Sequence, residues 1–160
     1  MIGRNGRGKT TFLNLLQNKL NYQGQISANL AFDYFPQTIK NPQQLTFFVL
    51  NDLGVTEQWK VERELNLLGT DPDILWRAFT TLSGGEQTKV LLASLFTQTV
   101  NFPLIDEPTN HLDIKAREQV ANYLKHKKQG FIVISHDRKF VDDTADHILS
   151  IEKSNILMYQ

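Results

Sequence analysis

Gly3-Arg4-Asn5-Gly6-Arg7-Gly8-Lys9-Thr10 fits the spacing GxxxxGK[ST] of a phosphate-binding P-loop. Glycines in such a stretch let the backbone curl so that successive N–H groups face an anion. Lys9 then reaches the β- and γ-phosphates of a nucleotide, and the Thr10 hydroxyl ligates Mg²⁺. Apolar residues at Phe12, Leu15, Leu16 and Leu20 predict a helix over 10–20, whose positive end adds to phosphate binding. The competing explanation is a glycine-rich turn with a chance lysine. The complete motif followed by a helical pattern argues against it.

Two further constellations bear on the same chemistry. In Leu82-Ser83-Gly84-Gly85-Glu86-Gln87, Ser83 and Glu86 have the spacing of a helix capping box. That accounts for two residues and leaves Gly84 and Gly85 unexplained. A glycine in a helix costs up to about 1 kcal/mol against alanine, so their presence suggests that something approaches the backbone closely. A γ-phosphate docking on the helix N-terminus is such a group. Phe102-Pro103-Leu104-Ile105-Asp106-Glu107 reads as an apolar strand ending in two acids. By itself an Asp-Glu pair there is a solvated turn. Beside a P-loop, Asp106 is placed to hold Mg²⁺ and Glu107 to act as general base toward an attacking water. Proline removes a ladder donor, so Pro103 is expected at the strand's first residue.

Weaker features gain meaning only from these. Gln37, after Phe35 and Pro36, can ligate Mg²⁺ or orient water, and alone is a polar loop residue. Asp113 is most simply the N-cap of the next helix. His136, at the end of an apolar run, can hydrogen-bond a γ-phosphate or be structural. His111, His126 and His147 lack metal-ligand spacing and carry no assignment.

Alternating elements must position these groups. Strands are expected at 25–27, 31–35, 102–105 and 131–135, and helices at 86–96, 114–125 and 138–145, with two closing strands at 148–151 and 156–159. Such alternation implies a mostly parallel sheet covered on both faces. Residues 42–81 differ: helical patterns at 45–53 and 57–68, the second with Val61, Leu65 and Leu68 on one face, form a helical insertion punctuated by Gly54, Gly69 and Pro72.

The 160 residues suffice for about one domain with a real core, and the 17 basic residues balance the 17 acidic ones. Zero formal charge makes no bulk case for nucleic acid or an anionic membrane. The sequence contains no cysteine, which excludes a disulfide framework or thiolate metal site. It has neither an apolar run of the ~20 residues that span a bilayer nor a signal-peptide core. A cytoplasmic domain is the expectation. Only Met1 and Ile2 precede Gly3, where a strand should lead into the P-loop. The chain is therefore expected to be a fragment or to have a mis-assigned start, and on its own to pack loosely and bind ATP poorly.

Taken together, residues 3–11 (with Thr11), Gln37, residues 82–87, residues 104–107, Asp113 and His136 resemble the ABC ATPase family: Walker A, Q-loop, signature, Walker B, D-loop and switch histidine, in order. The resemblance covers nearly the whole chain. It implies a P-loop α/β core at 1–41 and 82–160 with a helical subdomain at 42–81, and ATP and Mg²⁺ as ligands. It also implies that Ser83, Gly84, Gly85 and Glu86 complete the site of a second ABC domain, so that hydrolysis needs a partner domain. Glu107-Pro108-Thr109-Asn110-His111-Leu112-Asp113 and Ser135-His136-Asp137-Arg138-Lys139-Phe140 are similar to stretches of the ABC-F branch, which has two fused ATPase domains and no membrane domain. Members of that branch act on the ribosome as translation factors or antibiotic-resistance proteins. The wording near the P-loop looks most like the lincosamide–streptogramin–pleuromutilin group. The family's N-terminal antiparallel strands, with their adenine-stacking aromatic, have no counterpart in these residues. A transporter's nucleotide-binding subunit and an ATP-gated clamp with slow turnover are the rival expectations.

Overall fold

The computed structural model describes residues 31–98, 100–146, 148–151 and 156–159, the last two stretches as backbone. The expected P-loop at 3–11, the helix at 10–20, the strand at 25–27 and His147 lie outside the described residues.

Three parallel strands carry the architecture: β1 (Phe32–Phe35), β2 (Phe102–Asp106) and β3 (Ile132–Ile134), in the order β1-β2-β3. Tyr34 pairs with Leu104 and Phe35 with Ile105, while Ile105 pairs with Val133 and Asp106 with Ile134. Side chains alternate across the sheet. Phe35, Ile105 and Val133 join the main core, whereas Leu104 and Ile134 form a second apolar cluster with Phe32, Tyr34, Phe102 and Ile132. The backbone of β4 (Ile148–Ile151) and β5 (Ile156–Tyr159) forms a separate antiparallel pair.

Pro103 is the second residue of β2, not the first. The Phe102 N–H donates to Ala31 O at 2.7 Å, toward β1, so the alternation aims position 103 at β3. Pairing with β3 starts only at Leu104 and Ile132, and the missing donor falls just outside that ladder.

Between β1 and β2 run α1 (Thr46–Asp52), α2 (Gln58–Leu67), two 3₁₀ turns (Pro72–Trp76 and Phe79–Thr81) and α3 (Gly84–Thr97). Val61, Leu65 and Leu68, expected on one face, are completely buried. They share one continuous core with Val90 and Leu92 of α3 and with Ile105 of β2. Helix α3 buries every residue from Lys89 to Phe96, so it runs through the core of the described residues. Its first residue is Gly84 rather than Glu86, because Ser83 is the N-cap and the helix begins immediately after it. Helices α4 (Ile114–Lys125) and α5 (Arg138–Thr144) follow β2 and β3.

Gly69 ends α2 in the left-handed region at φ 68°. A Cβ there would collide with the Gln119 amide, which accepts a hydrogen bond from Lys89 Nζ at 2.5 Å. Gly69→Ala is therefore expected to cost about 1–2 kcal/mol for the backbone alone. A denaturant midpoint equal to wild type would show that the turn relaxes freely.

Candidate functional site

In an open α/β sheet, ligands sit beyond the carboxyl ends of the strands. Gln37 follows β1, Asp106 ends β2 with Glu107 directly after it, and His136 follows β3, so four sequence-predicted residues stand at that edge.

Asp106 is the last residue of β2, and Tyr34 of β1 donates its hydroxyl to Asp106 Oδ2 at 2.6 Å. Tyr34 carried no sequence assignment. The signal available was a phenol in the otherwise apolar run Phe32-Asp33-Tyr34-Phe35, two residues before the Pro36-Gln37 pair. Burial, and then the bond to Asp106, push the phenol far above its ordinary range, so it remains a donor.

Glu107 adopts φ 50°, a left-handed conformation that costs a non-glycine residue about 1–2 kcal/mol. The turn is held by the Glu107 N–H, which donates to Ile134 O at 2.8 Å, and by the buried Pro108 and Thr109 beyond it. This backbone re-aims the carboxylate toward β3, where His136 Nδ1 donates to Glu107 Oε2 at 3.0 Å. A carboxylate only accepts, so the ring proton sits on Nδ1 and Nε2 is left for another partner. The Glu107 side chain is 13% exposed and that of His136 54%: a shielded acid beside an accessible imidazole. Strain of this kind concentrates where geometry serves chemistry. The contact between His136 and Glu107 is not expected from the sequence, which leaves His136 either to a γ-phosphate or to a structural role.

The Gln37 amide donates from Nε2 to Leu91 O, within α3, at 3.0 Å. Its Oε1 is buried with no hydrogen-bond partner among the described residues. Asp106 Oδ1 likewise receives no hydrogen bond from them. A buried amide oxygen and a carboxylate oxygen are hard donors of the type Mg²⁺ takes, and Mg²⁺ is commonly held by one or two carboxylates together with substrate phosphates. The residues present fit the ion.

Ser83, Gly84, Gly85, Glu86 and Asp113 meet elsewhere. Ser83 Oγ accepts from the Glu86 N–H at 3.1 Å while Glu86 Oε1 accepts from the Ser83 N–H at 2.9 Å, a complete capping box. Asp113 caps α4, accepting from the Ala116 N–H at 2.7 Å. Both helix starts line one cleft of about 500 Å³, together with Lys89, His111 and Lys115. Burial pulls the Lys89 pKa below its ordinary value, with Asp113 working against that shift. A Cβ on Gly84 would meet nothing within 4 Å, so no packing within the described residues requires glycine there. Asp106, Glu107 and His136 do not line this cleft. The predicted residues thus fall into two groups.

The ABC transporter family profile matches residues 1–110. The ribosome protection protein VmlR of Bacillus subtilis is 33% identical over 100% of this chain and 27% of its own length. The ABC transporter F family member 2 of Arabidopsis thaliana is 28% identical over 99% of this chain and 25% of its own length. An archaeal ribosome recycling factor, solved in complex with a ribosomal stalk protein, superposes with a TM-score of 0.76 at 29% identity, covering 92% of this chain and 30% of that one. The chain thus spans only about a quarter of the curated relatives it matches. It belongs to the ABC ATPase family, with relatives in the ABC-F branch.

Proposed function

We propose that this chain is one ATP-binding and hydrolysing domain of a cytoplasmic ABC-F protein that acts on the ribosome. The observation that carries the catalytic part is the convergence of Asp106, Glu107 and His136 at the ends of β2 and β3. Residues 3–11, with Lys9 and Thr10, cradle the phosphates. Thr10, Asp106 and Gln37 would hold Mg²⁺, which would supply charge neutralisation to the bound nucleotide. Glu107 takes the proton of the attacking water. His136, bonded through Nδ1, keeps that carboxylate aimed and has Nε2 left for the phosphate. The separate cleft at Ser83 and Asp113 supports the reading that the signature serves a second ABC domain rather than its own site. The ribosome as partner is supported by VmlR and the recycling factor, whose names state that role for them. No described helix is long and apolar enough to cross a membrane.

Two variants of the full-length protein test the assignment. Lys9→Ala is expected to lose ATP binding at its own site. Ser83→Arg is expected to keep that binding and lose hydrolysis, since it obstructs closure onto the partner domain. Equal loss of ATP affinity in both variants would place the signature in the domain's own site. Co-sedimentation of the wild-type protein with ribosomes in ATP, and its absence in ADP, tests the partner. Identical behaviour with both nucleotides speaks against the ribosomal role.

A further inference from the structure

We propose that Tyr34 is a positioning residue for the metal-binding carboxylate: held on β1, its hydroxyl fixes Asp106 Oδ2 and leaves Oδ1 presented to Mg²⁺. The inference rests on the reading of Asp106 as a metal ligand and extends it to a residue that no motif includes.

Tyr34 pairs with Leu104 in the parallel ladder, and Asp106 lies two residues beyond Leu104 on the same face of the sheet. A long aromatic side chain bridges that offset, and the oxygens meet at 2.6 Å, the length of a charge-assisted O–H···O⁻ bond. The ring itself packs with Leu104 and Ile134. Phenylalanine would serve that packing equally well, as Phe32 and Phe102 do on the same face. The hydroxyl therefore adds something packing does not need, namely a fixed orientation for one carboxylate oxygen. The phenol also draws some charge from the carboxylate, which opposes metal binding. Orientation prevails in this balance, because removing a group that holds a metal ligand in place typically costs about 10–100-fold in affinity.

The test uses the full-length protein loaded with a non-hydrolysable ATP analogue, with Mn²⁺ as a paramagnetic stand-in whose bound and free forms are separated by EPR. Tyr34→Phe is expected to weaken Mn²⁺ binding on the order of 10-fold and to leave metal-free nucleotide affinity and the apo melting temperature unchanged. Asp106→Asn should weaken Mn²⁺ at least as much, and adding Tyr34→Phe to it should have no further effect. Wild-type Mn²⁺ affinity in Tyr34→Phe, alongside a weakened Asp106→Asn, overturns this inference and spares the metal reading. Wild-type affinity in Asp106→Asn overturns both. Parallel losses of melting temperature and metal-free nucleotide binding in Tyr34→Phe would make the hydroxyl a packing element and sink the proposal.

Discussion

Glu107→Gln in the full-length protein is expected to bind ATP as wild type does and to hydrolyse it some 10²–10⁴-fold more slowly. The amide is nearly isosteric with the carboxylate, so the left-handed turn at φ 50° and the backbone bond to Ile134 O should both survive. The amide oxygen of the substituted side chain still accepts from His136 Nδ1, so the imidazole keeps its place. Proton affinity is what disappears, since an amide cannot act as a base. The variant should therefore accumulate in the ATP-bound, closed state, seen as nucleotide that co-purifies and as persistent association with the partner. His136→Ala supplies the contrast. It leaves the Glu107 carboxylate, the proposed base, and removes what aims it, so its loss of turnover should be smaller than that of Glu107→Gln. Near-normal steady-state turnover in Glu107→Gln would assign the base to another residue.

The elements that place these groups were largely legible in the sequence. The apolar period of residues 61–68, the capping box at Ser83 and Glu86 and the N-cap at Asp113 depend on spacings within one or two helical turns, and each is found where local chemistry put it. What escaped depends on the ladder between strands. Tyr34 and Asp106 are 72 positions apart, and His136 and Glu107 are 29 apart. Neither pair follows from periodicity, because the parallel register that unites them is a property of the assembled sheet. The left-handed Glu107 was equally hidden, since a glutamate has no intrinsic preference for that conformation and holds it through its neighbours. The placement of Pro103 failed for the same reason. Its tolerance depends on which side of β2 lacks a partner at that level, and the sequence alone does not say.

Glu64 is where the largest loss of stability is expected, and it too was invisible to the sequence reading. It sits on α2 with a side chain only 2% exposed, and it faces three donors. The Tyr123 hydroxyl donates to Oε2 at 2.5 Å, Lys127 Nζ donates to the same oxygen, and Arg63 donates to Oε1 at 3.2 Å. Lys127 also lies 4.5 Å from the Tyr123 ring centroid and 5.1 Å from that of Phe96. The cluster ties α2 to the C-terminal end of α4, whose other end is capped by Asp113, so it fixes the helical segment relative to the cleft. Glu64→Leu leaves Lys127 and the Tyr123 hydroxyl facing an apolar side chain. Removing one member of a buried pair typically costs about 3–5 kcal/mol, a large share of the ~5–15 kcal/mol by which a domain is stable. Glu64→Leu combined with Lys127→Met should recover part of that loss, because the uncompensated charge is gone. The Tyr123 hydroxyl remains orphaned in the pair variant, at about 1–3 kcal/mol. Alkali should act on the same cluster. Burial, and then the bond to Glu64, raise the Tyr123 pKa above its ordinary value of 10.0. The native chain thus keeps a proton that the unfolded chain releases. That stability is complete below pH 10.0 and declines as pH rises above it. In Tyr123→Phe the decline attributable to this group should vanish. Denaturant midpoints at neutral pH and above pH 10.0 measure both effects. A Glu64→Leu midpoint within error of wild type, with the alkaline decline unchanged in Tyr123→Phe, would mean that apolar packing alone holds α2 against α4.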